Sequence, residues 1–228
     1  MEAVIESNLD ILLKILENPI RRKIIERLSQ EPNYTLQIAK ELGLGQQLVA
    51  KHLKLMEKCG LVKSNIQSSP TGPQRRVFGL VKSLSITVDV APHLFKQDIM
   101  FFDLTPDEQQ IPETLESLIK RKNRIVAYSD WKDKINPFAK LLSDIDLKLE
   151  ILEDERMFLL SIRNSIMREV SKVIQKINDA NARRVFHQAL DEHDQSIRKL
   201  SQALNLREEI VKQVIQKIKR DFDTGYFE

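Results

Sequence analysis

Apolar positions recur at helical spacing along most of this chain and alternate in one stretch near its middle. Ile11, Leu12, Ile15 and Leu16 predict a short helix over residues 8–16. Asn18-Pro19 restarts the chain, with Asn as N-cap and Pro at the first helical position, where its missing N–H costs nothing. A second helix over residues 19–29 buries Ile20, Ile24, Ile25 and Leu28 and exposes Arg21, Arg22, Lys23 and Arg27, so that its start is a candidate phosphate contact. After a Glu31-Pro32-Asn33 turn, residues 35–60 predict a helix, a tight turn and a second helix. Thr35 is the expected N-cap, Ile38, Ala39 and Leu42 the buried face, Gly43 the left-handed turn residue and Leu44 the plug into the core. The following helix buries Leu48 or Val49, with Leu53 and Met56, and turns Gln46, Gln47, Ala50, Lys51 and Lys54 outward, a short polar and basic face that makes it a candidate reader of base edges or phosphates in a DNA major groove.

Past Gly60 the period drops to two. Residues 61–67 and 77–81 are strand-like runs separated by Ser68-Ser69-Pro70-Thr71-Gly72-Pro73, a hairpin signal with Arg75 and Arg76 on the returning strand near the tip. Leu84, Ile86, Val88 and Val90 then alternate along another strand, and Ala91-Pro92 breaks it. Residues 94–103, with Phe95, Ile99, Met100, Phe101 and Phe102, predict its partner, read either as part of a core or as the wall of a ligand pocket. Residues 105–112 form a polar linker, and a short helix over 113–122 follows.

Asn136-Pro137 repeats the cap-and-first-position signal, and neither Pro nor Gly recurs before Gly225. The helix expected there runs to about residue 178, roughly 60 Å at 1.5 Å per residue. Phe138, Ile145, Leu152, Leu159, Ile166 and Val173 fall every seven residues, and Leu142, Leu149, Val170 and Ile177 fill the second seam position. Arg156 and Arg163 interrupt it, and either set its register or meet Asp154 and Glu155. The seam predicts a coiled coil whose simplest role is a homodimer axis, with Ile145, Leu149, Leu152, Leu159, Ile166 and Val173 as dimerisation residues; an intramolecular bundle is the alternative. Residues 196–218 then repeat the first helix pair: Leu200 aligns with Ile38, Leu204 with Leu42, Asn205 with Gly43, Leu206 with Leu44 and Val211 with Val49. Asn tolerates the left-handed region better than most residues. With residues 182–193 ahead of it, this is a second helix-turn-helix-like unit of three helices, but its outward positions read Arg207, Glu208, Glu209, Lys212 and Gln213. Two adjacent carboxylates oppose phosphate, so a structural or protein-contact role is expected over a second DNA reader.

Composition narrows the classes. At 228 residues and 42% hydrophobic, the chain can bury at least one sizeable core, is expected to hold two or three small modules, and contains no run apolar enough to span a bilayer. The expectation is a soluble cytoplasmic protein without a targeting segment. The single cysteine, Cys59, excludes an internal disulfide and a thiolate-rich metal site, and its expected role is packing. Residues 1–82 carry 13 basic and 8 acidic side chains, so the positive charge lies with the candidate DNA reader. No Gly-rich phosphate loop, metal-ligand cluster or nucleophile with a placed base is found, and His93, His187 and His193 show no ligand spacing. An enzyme, a cofactor and a catalytic residue are accordingly not expected.

Asn18-Pro19-Ile20-Arg21-Arg22-Lys23-Ile24-Ile25, Ile38-Ala39-Lys40-Glu41-Leu42-Gly43-Leu44, Val49-Ala50-Lys51-His52-Leu53-Lys54 and Cys59-Gly60-Leu61-Val62, in this order, resemble the winged helix-turn-helix of ArsR-type transcriptional regulators, especially archaeal members. The resemblance covers residues 8–82. It implies a dimer that binds double-stranded DNA, with contacts carried onto Gln46, Gln47, Lys51 and Lys54 and onto Arg75 and Arg76 in the wing; Thr35 and Ala50 complete the candidate contact set. Metal-sensing members carry Cys ligands on the helix before the reader, and residues 36–42 have none. His52 stands between a phosphate contact and a framework residue.

The expected architecture is mainly α with a small β component: a winged helix-turn-helix over 1–82, a small β and linker region over 83–135, a long dimerisation helix over 136–180 and a C-terminal helical module over 181–228. The expected function is sequence-specific transcriptional regulation, most simply repression by a homodimer. Two alternatives stay open: a ligand-responsive switch using residues 84–131, and a scaffold that bridges DNA or recruits a protein partner through the C-terminal module.

Overall fold

The computed structural model describes residues 9–69, 72–102, 111–192 and 196–222. They fall into two compact units, the first made of residues up to 89 together with 95–111, the second of residues 90–94 together with those from 112 onward.

The first unit opens with α1 (Leu9–Leu16) and α2 (Pro19–Gln30). Asn18 caps α2 as its sequence demands, its Oδ1 accepting from the N–H groups of Ile20 at 3.0 Å and Arg21 at 3.2 Å. β1 (Asn33–Tyr34) is a two-residue strand without a periodic signature, and α3 (Thr35–Leu42) follows directly. The cap position of α3 is Tyr34 rather than Thr35, which is the first helical residue. The β-bridge to the strand opposite already fixes Tyr34 in extended backbone, so the helix starts one residue later than the Thr signal.

Gly43 ends α3 at φ +64, and Leu44 donates its N–H to the Ala39 carbonyl at 2.8 Å, closing the turn. A Cβ built on Gly43 would meet nothing within 4 Å, so glycine is needed there for its backbone and not for space. α4 (Gln46–Lys58) follows, then β2 (Val62–Ser69) and β3 (Gly72–Leu80), which pair antiparallel with Val62 opposite Leu80. The sheet order is β1-β3-β2. Pro70 and Thr71 of the expected turn lie outside the described residues. The core joins Leu12, Ile15, Ile24, Leu28, Ile38, Val49, Leu53, Met56, Val62 and Phe78. Val49 is the buried member of the Leu48/Val49 pair, and Leu48 is exposed.

β4 (Leu84–Ala91) and β5 (Leu94–Phe101) form the expected second hairpin. Its alternation is partial. Leu84 and Ile86 pack on the first core, whereas Val88 and Val90 are exposed. The 105–112 linker lies largely outside the described residues.

In the second unit, a 3-10 turn over Glu113–Leu115 leads into α5 (Glu116–Val126), and α6 (Trp131–Ile174) runs for 44 residues, about 66 Å. Asn136-Pro137 does not start this helix. Asp130 does, its carboxylate accepting from the Lys132 N–H at 2.9 Å, and Pro137 sits inside the helix near its beginning. The positions that α6 buries within the chain are Leu141, Met167 and Ile174, outside the heptad seam. Arg156 pairs with Glu153 at 3.1 Å and Arg163 with Asp191.

α7 (Ala180–Glu192), α8 (Ile197–Leu204) and α9 (Glu208–Phe222) enclose a separate core of Val185, Ala189, Leu200, Val211, Ile215 and Ile218. Asn205 ends α8 at φ 51, and Leu206 donates to the Ser201 carbonyl at 3.0 Å, the bond that Leu44 makes to Ala39. Asp179 accepts from the N–H groups two and three residues on, at 2.9 and 3.1 Å, as Asn18 does at the start of α2. His193 lies outside the described residues.

Candidate nucleic-acid interface

α4 is amphipathic over its whole length. Val49, His52, Leu53 and Met56 are buried, and Gln46, Gln47, Ala50, Lys51 and Lys54 are exposed together on the opposite side. Leu48 and Leu55, also exposed, flank Lys51 along the helix. The outward face therefore offers two amides and two ammonium groups on a rod seated in a packed core, with apolar edges. The N-cap positions are Gly45 for α4 and Tyr34 for α3, neither with a side-chain cap bond. Thr35 is half-buried at the first turn of α3.

His52 belongs to the framework, only 9% exposed. Burial, with the charges of Arg21 and Lys51 added to it, pushes its imidazole below the usual histidine range. As the pH falls below about 6.5, the unfolded chain takes up this proton before the folded one, so stability falls on that side of neutrality. Urea midpoints measured between pH 7.5 and 5.5 are expected to drop more for the natural protein than for His52→Leu; equal drops would place the titration elsewhere.

The two wing arginines are held differently. Arg75 lies opposite Gln67, its guanidinium 4.8 Å from the centroid of the Tyr34 ring, and remains exposed. Arg76 donates to both Glu57 carboxylate oxygens at 3.1 and 2.9 Å and to Ser64 Oγ at 2.6 Å. It braces the hairpin against the end of α4, and Glu57 is a partner that the sequence reading missed.

The start of α2 is corrected more sharply. Arg21 is buried, its Nε donating to the Ile15 carbonyl at 2.7 Å and a terminal nitrogen to Lys14 at 2.5 Å. Arg22 donates to the carbonyls of Leu16 and Glu17 at 2.5 and 2.9 Å. Both close the C-terminus of α1, because the two-residue turn at Glu17-Asn18 folds the first turn of α2 back over those orphan carbonyls. Arg21 is therefore not the outward-facing group expected there, whereas Arg22 stays exposed. Arg27, farther along, binds Glu41 of α3 and Glu31. The Arg27 guanidinium, helped by Gln37, holds the Glu41 carboxyl below the usual carboxylate range.

A helix, a left-handed turn, a second helix with a polar outer face and an antiparallel hairpin behind it define a winged helix-turn-helix. Residues 18–64 match the family of bacterial regulatory proteins of the arsR type, so this segment is an ArsR-type helix-turn-helix. The chain is also 41% identical over 51 residues to an uncharacterized HTH-type transcriptional regulator of Methanocaldococcus jannaschii, a match spanning 22% of this chain and 54% of the relative. It thus spans about half the length of the curated relative it matches. No helix among the described residues is long and apolar enough to cross a membrane.

Proposed function

We propose that this protein is a cytoplasmic, sequence-specific DNA-binding transcriptional regulator that represses as a homodimer by occluding its operator. The observation that carries this reading is the exposed face of α4, where Gln46, Gln47, Ala50, Lys51 and Lys54 stand together on an ArsR-type domain. An α-helix fits the major groove, where amides pair with adenine edges and ammonium groups with guanine or phosphate. Arg75 and Arg76 of the wing lie along the adjacent backbone, and the uncapped N–H groups at the start of α3, beside Thr35, suit a phosphate. The name of the methanogen relative supports transcriptional regulation. The unpartnered seam of α6, with Leu149, Leu152, Leu159, Ile166 and Val173 each more than half exposed, supports a coiled-coil dimer.

A second reading has its own observation. α7 to α9 repeat the cap, turn and core of α2 to α4, which supports a second helix-turn-helix-like module. Glu208 and Glu209 stand where α4 has its two amides, so this module recruits a protein partner instead of reading DNA. In that case the chain is a scaffold as well as a regulator.

Selection of bound duplex from a random pool, with sedimentation of the same full-length sample, tests both readings. The expected result is an enriched inverted repeat and a dimeric mass. Salt-sensitive binding without an enriched motif would favour the scaffold, and no binding at low salt would overturn DNA recognition.

A further inference from the structure

The second unit holds a concave site of about 360 Å³ where α6 meets α7 and the end of α8. Ile174 and Leu204, both buried, make its apolar floor. Around them stand Arg183, Arg184 and the half-buried His187 of α7, with the half-buried Ser171 of α6. Positions 184 and 187 are three residues apart on α7, so their side chains share one side of that helix. No Asp or Glu is among the described lining residues.

Both guanidiniums are held in place by main-chain oxygens. Arg183 donates from one terminal nitrogen to the carbonyls of Ile177 at 2.6 Å and Asn178 at 3.2 Å, as Arg22 does to those of Leu16 and Glu17 in the first unit. Arg184 donates from one terminal nitrogen to the Leu204 carbonyl at 2.8 Å. Each keeps its Nε and its other terminal nitrogen as donors, and among the described residues no carboxylate is ion-paired with either. The acids that flank this stretch, Asp179 and Asp191, are engaged by Lys217 at 3.0 Å and by Arg163. The Ser171 hydroxyl, 3.4 Å from His93 Nδ1, adds a further donor. Two fixed guanidiniums beside a hydroxyl and an imidazole match the three acceptor oxygens and double charge of a phosphate group.

We propose that this site binds the phosphate monoester group of a small organic molecule, its phosphate on Arg183, Arg184, His187 and Ser171 and its organic part on Ile174 and Leu204. A concave site with an apolar floor suits a small body, and Glu208 and Glu209 at the start of α9 in the same module oppose the backbone of a duplex. The proposal does not rest on the DNA-binding reading, because ligand binding is read in the absence of DNA.

The probe is phenyl phosphate, titrated calorimetrically into the full-length protein at neutral pH. The expected result is saturable binding of one molecule per chain, with inorganic phosphate at least about tenfold weaker for want of the apolar body and phenol failing to saturate. Arg184→Gln is expected to weaken phenyl phosphate at least about tenfold, and Ser171→Glu, which sets a carboxylate against the phosphate, by at least as much. Lys140→Gln removes an equal charge from an exposed position on α6 outside the site and is expected to leave binding within about twofold. Absence of saturable heat would overturn the proposal. So would equal losses in Arg184→Gln and Lys140→Gln, which report net charge alone, or affinity unchanged in both Arg184→Gln and Ser171→Glu, which places the ligand elsewhere. Inorganic phosphate bound as tightly as the ester would assign the site to the free anion and overturn the ester. A random-sequence duplex that displaces phenyl phosphate, with its own affinity lowered by Arg184→Gln, would assign these arginines to nucleic acid and overturn it as well. Circular dichroism identifies a variant that fails to fold. Should Arg184→Gln do so, Ser171→Glu decides; should both, the split between phenyl phosphate, inorganic phosphate and phenol on the natural protein decides.

Discussion

Reversing the charge of Lys51 and Lys54 together is expected to weaken binding to the selected duplex by on the order of a thousandfold while leaving the thermal midpoint of the protein nearly unchanged. Both side chains are exposed on α4, and the core beneath them is made by Val49, Leu53 and Met56. Their loss therefore removes contacts without opening a cavity. A base or phosphate contact contributes about 1–3 kcal/mol, so two contacts together give about 4 kcal/mol, and a carboxylate facing phosphate adds repulsion. If both hold phosphate, the slope of log affinity against log salt falls by roughly two and every sequence suffers alike. If Lys51 reads a base edge, Lys51→Ala alone relaxes the preference at one operator position. Gel shifts on matched and scrambled duplexes over a salt series separate these outcomes, and unchanged affinity in the double variant would remove α4 from the interface. Arg76→Ala makes an instructive contrast. Because Arg76 also holds Glu57 and Ser64, its loss is expected to lower stability as well as affinity.

The parts of this molecule that were legible in its sequence are those whose cause is local. Asn18-Pro19 and Gly43 work through the backbone of their own residues, and each produced the cap or turn it announces. The Gly43 pattern also made the turn at Asn205 readable, because the same bond closes both. The misreadings share a different cause. Arg21 was placed outside because periodicity counts arginine as polar, yet orphan carbonyls at the end of α1 gave its guanidinium a buried destination. Asn136-Pro137 looks like a helix start, but Asp130 offered an earlier cap and the helix ran through the proline. β1 consists of two residues and owes its existence to the register of β3, information that no window around Asn33 contains. The partners of Arg163 and Arg76 lie 28 and 19 residues away and were chosen by tertiary packing. The face of α4, by contrast, was nearly complete in the sequence, lacking only the exposed edge at Leu48 and Leu55.

Leu152→Arg with Leu159→Arg is expected to convert the proposed dimer to a monomer, raising its dissociation constant by at least about a thousandfold. These leucines lie one heptad apart on α6 and are 51% and 64% exposed in the single chain. The residues that α6 buries against its own chain, Leu141, Met167 and Ile174, occupy other positions of the heptad. The substitutions should therefore spare the fold of the second unit. A symmetric dimer would lose four leucines, each contributing about 1.5–3 kcal/mol when fully buried, and would place arginines of like charge across the seam. That total, about 6–12 kcal/mol, exceeds the roughly 4 kcal/mol that a thousandfold requires. Sedimentation equilibrium across a wide concentration range checks the mass, and the selected inverted repeat checks the consequence for DNA: a monomer binds each half-site alone, with the steep dependence on half-site spacing gone. A dimer that survives both arginines would place its axis off the seam. A natural protein that sediments as a monomer would leave this apolar face to a different partner, and operator recognition would then have to rest on a single winged domain and its salt-dependent contacts.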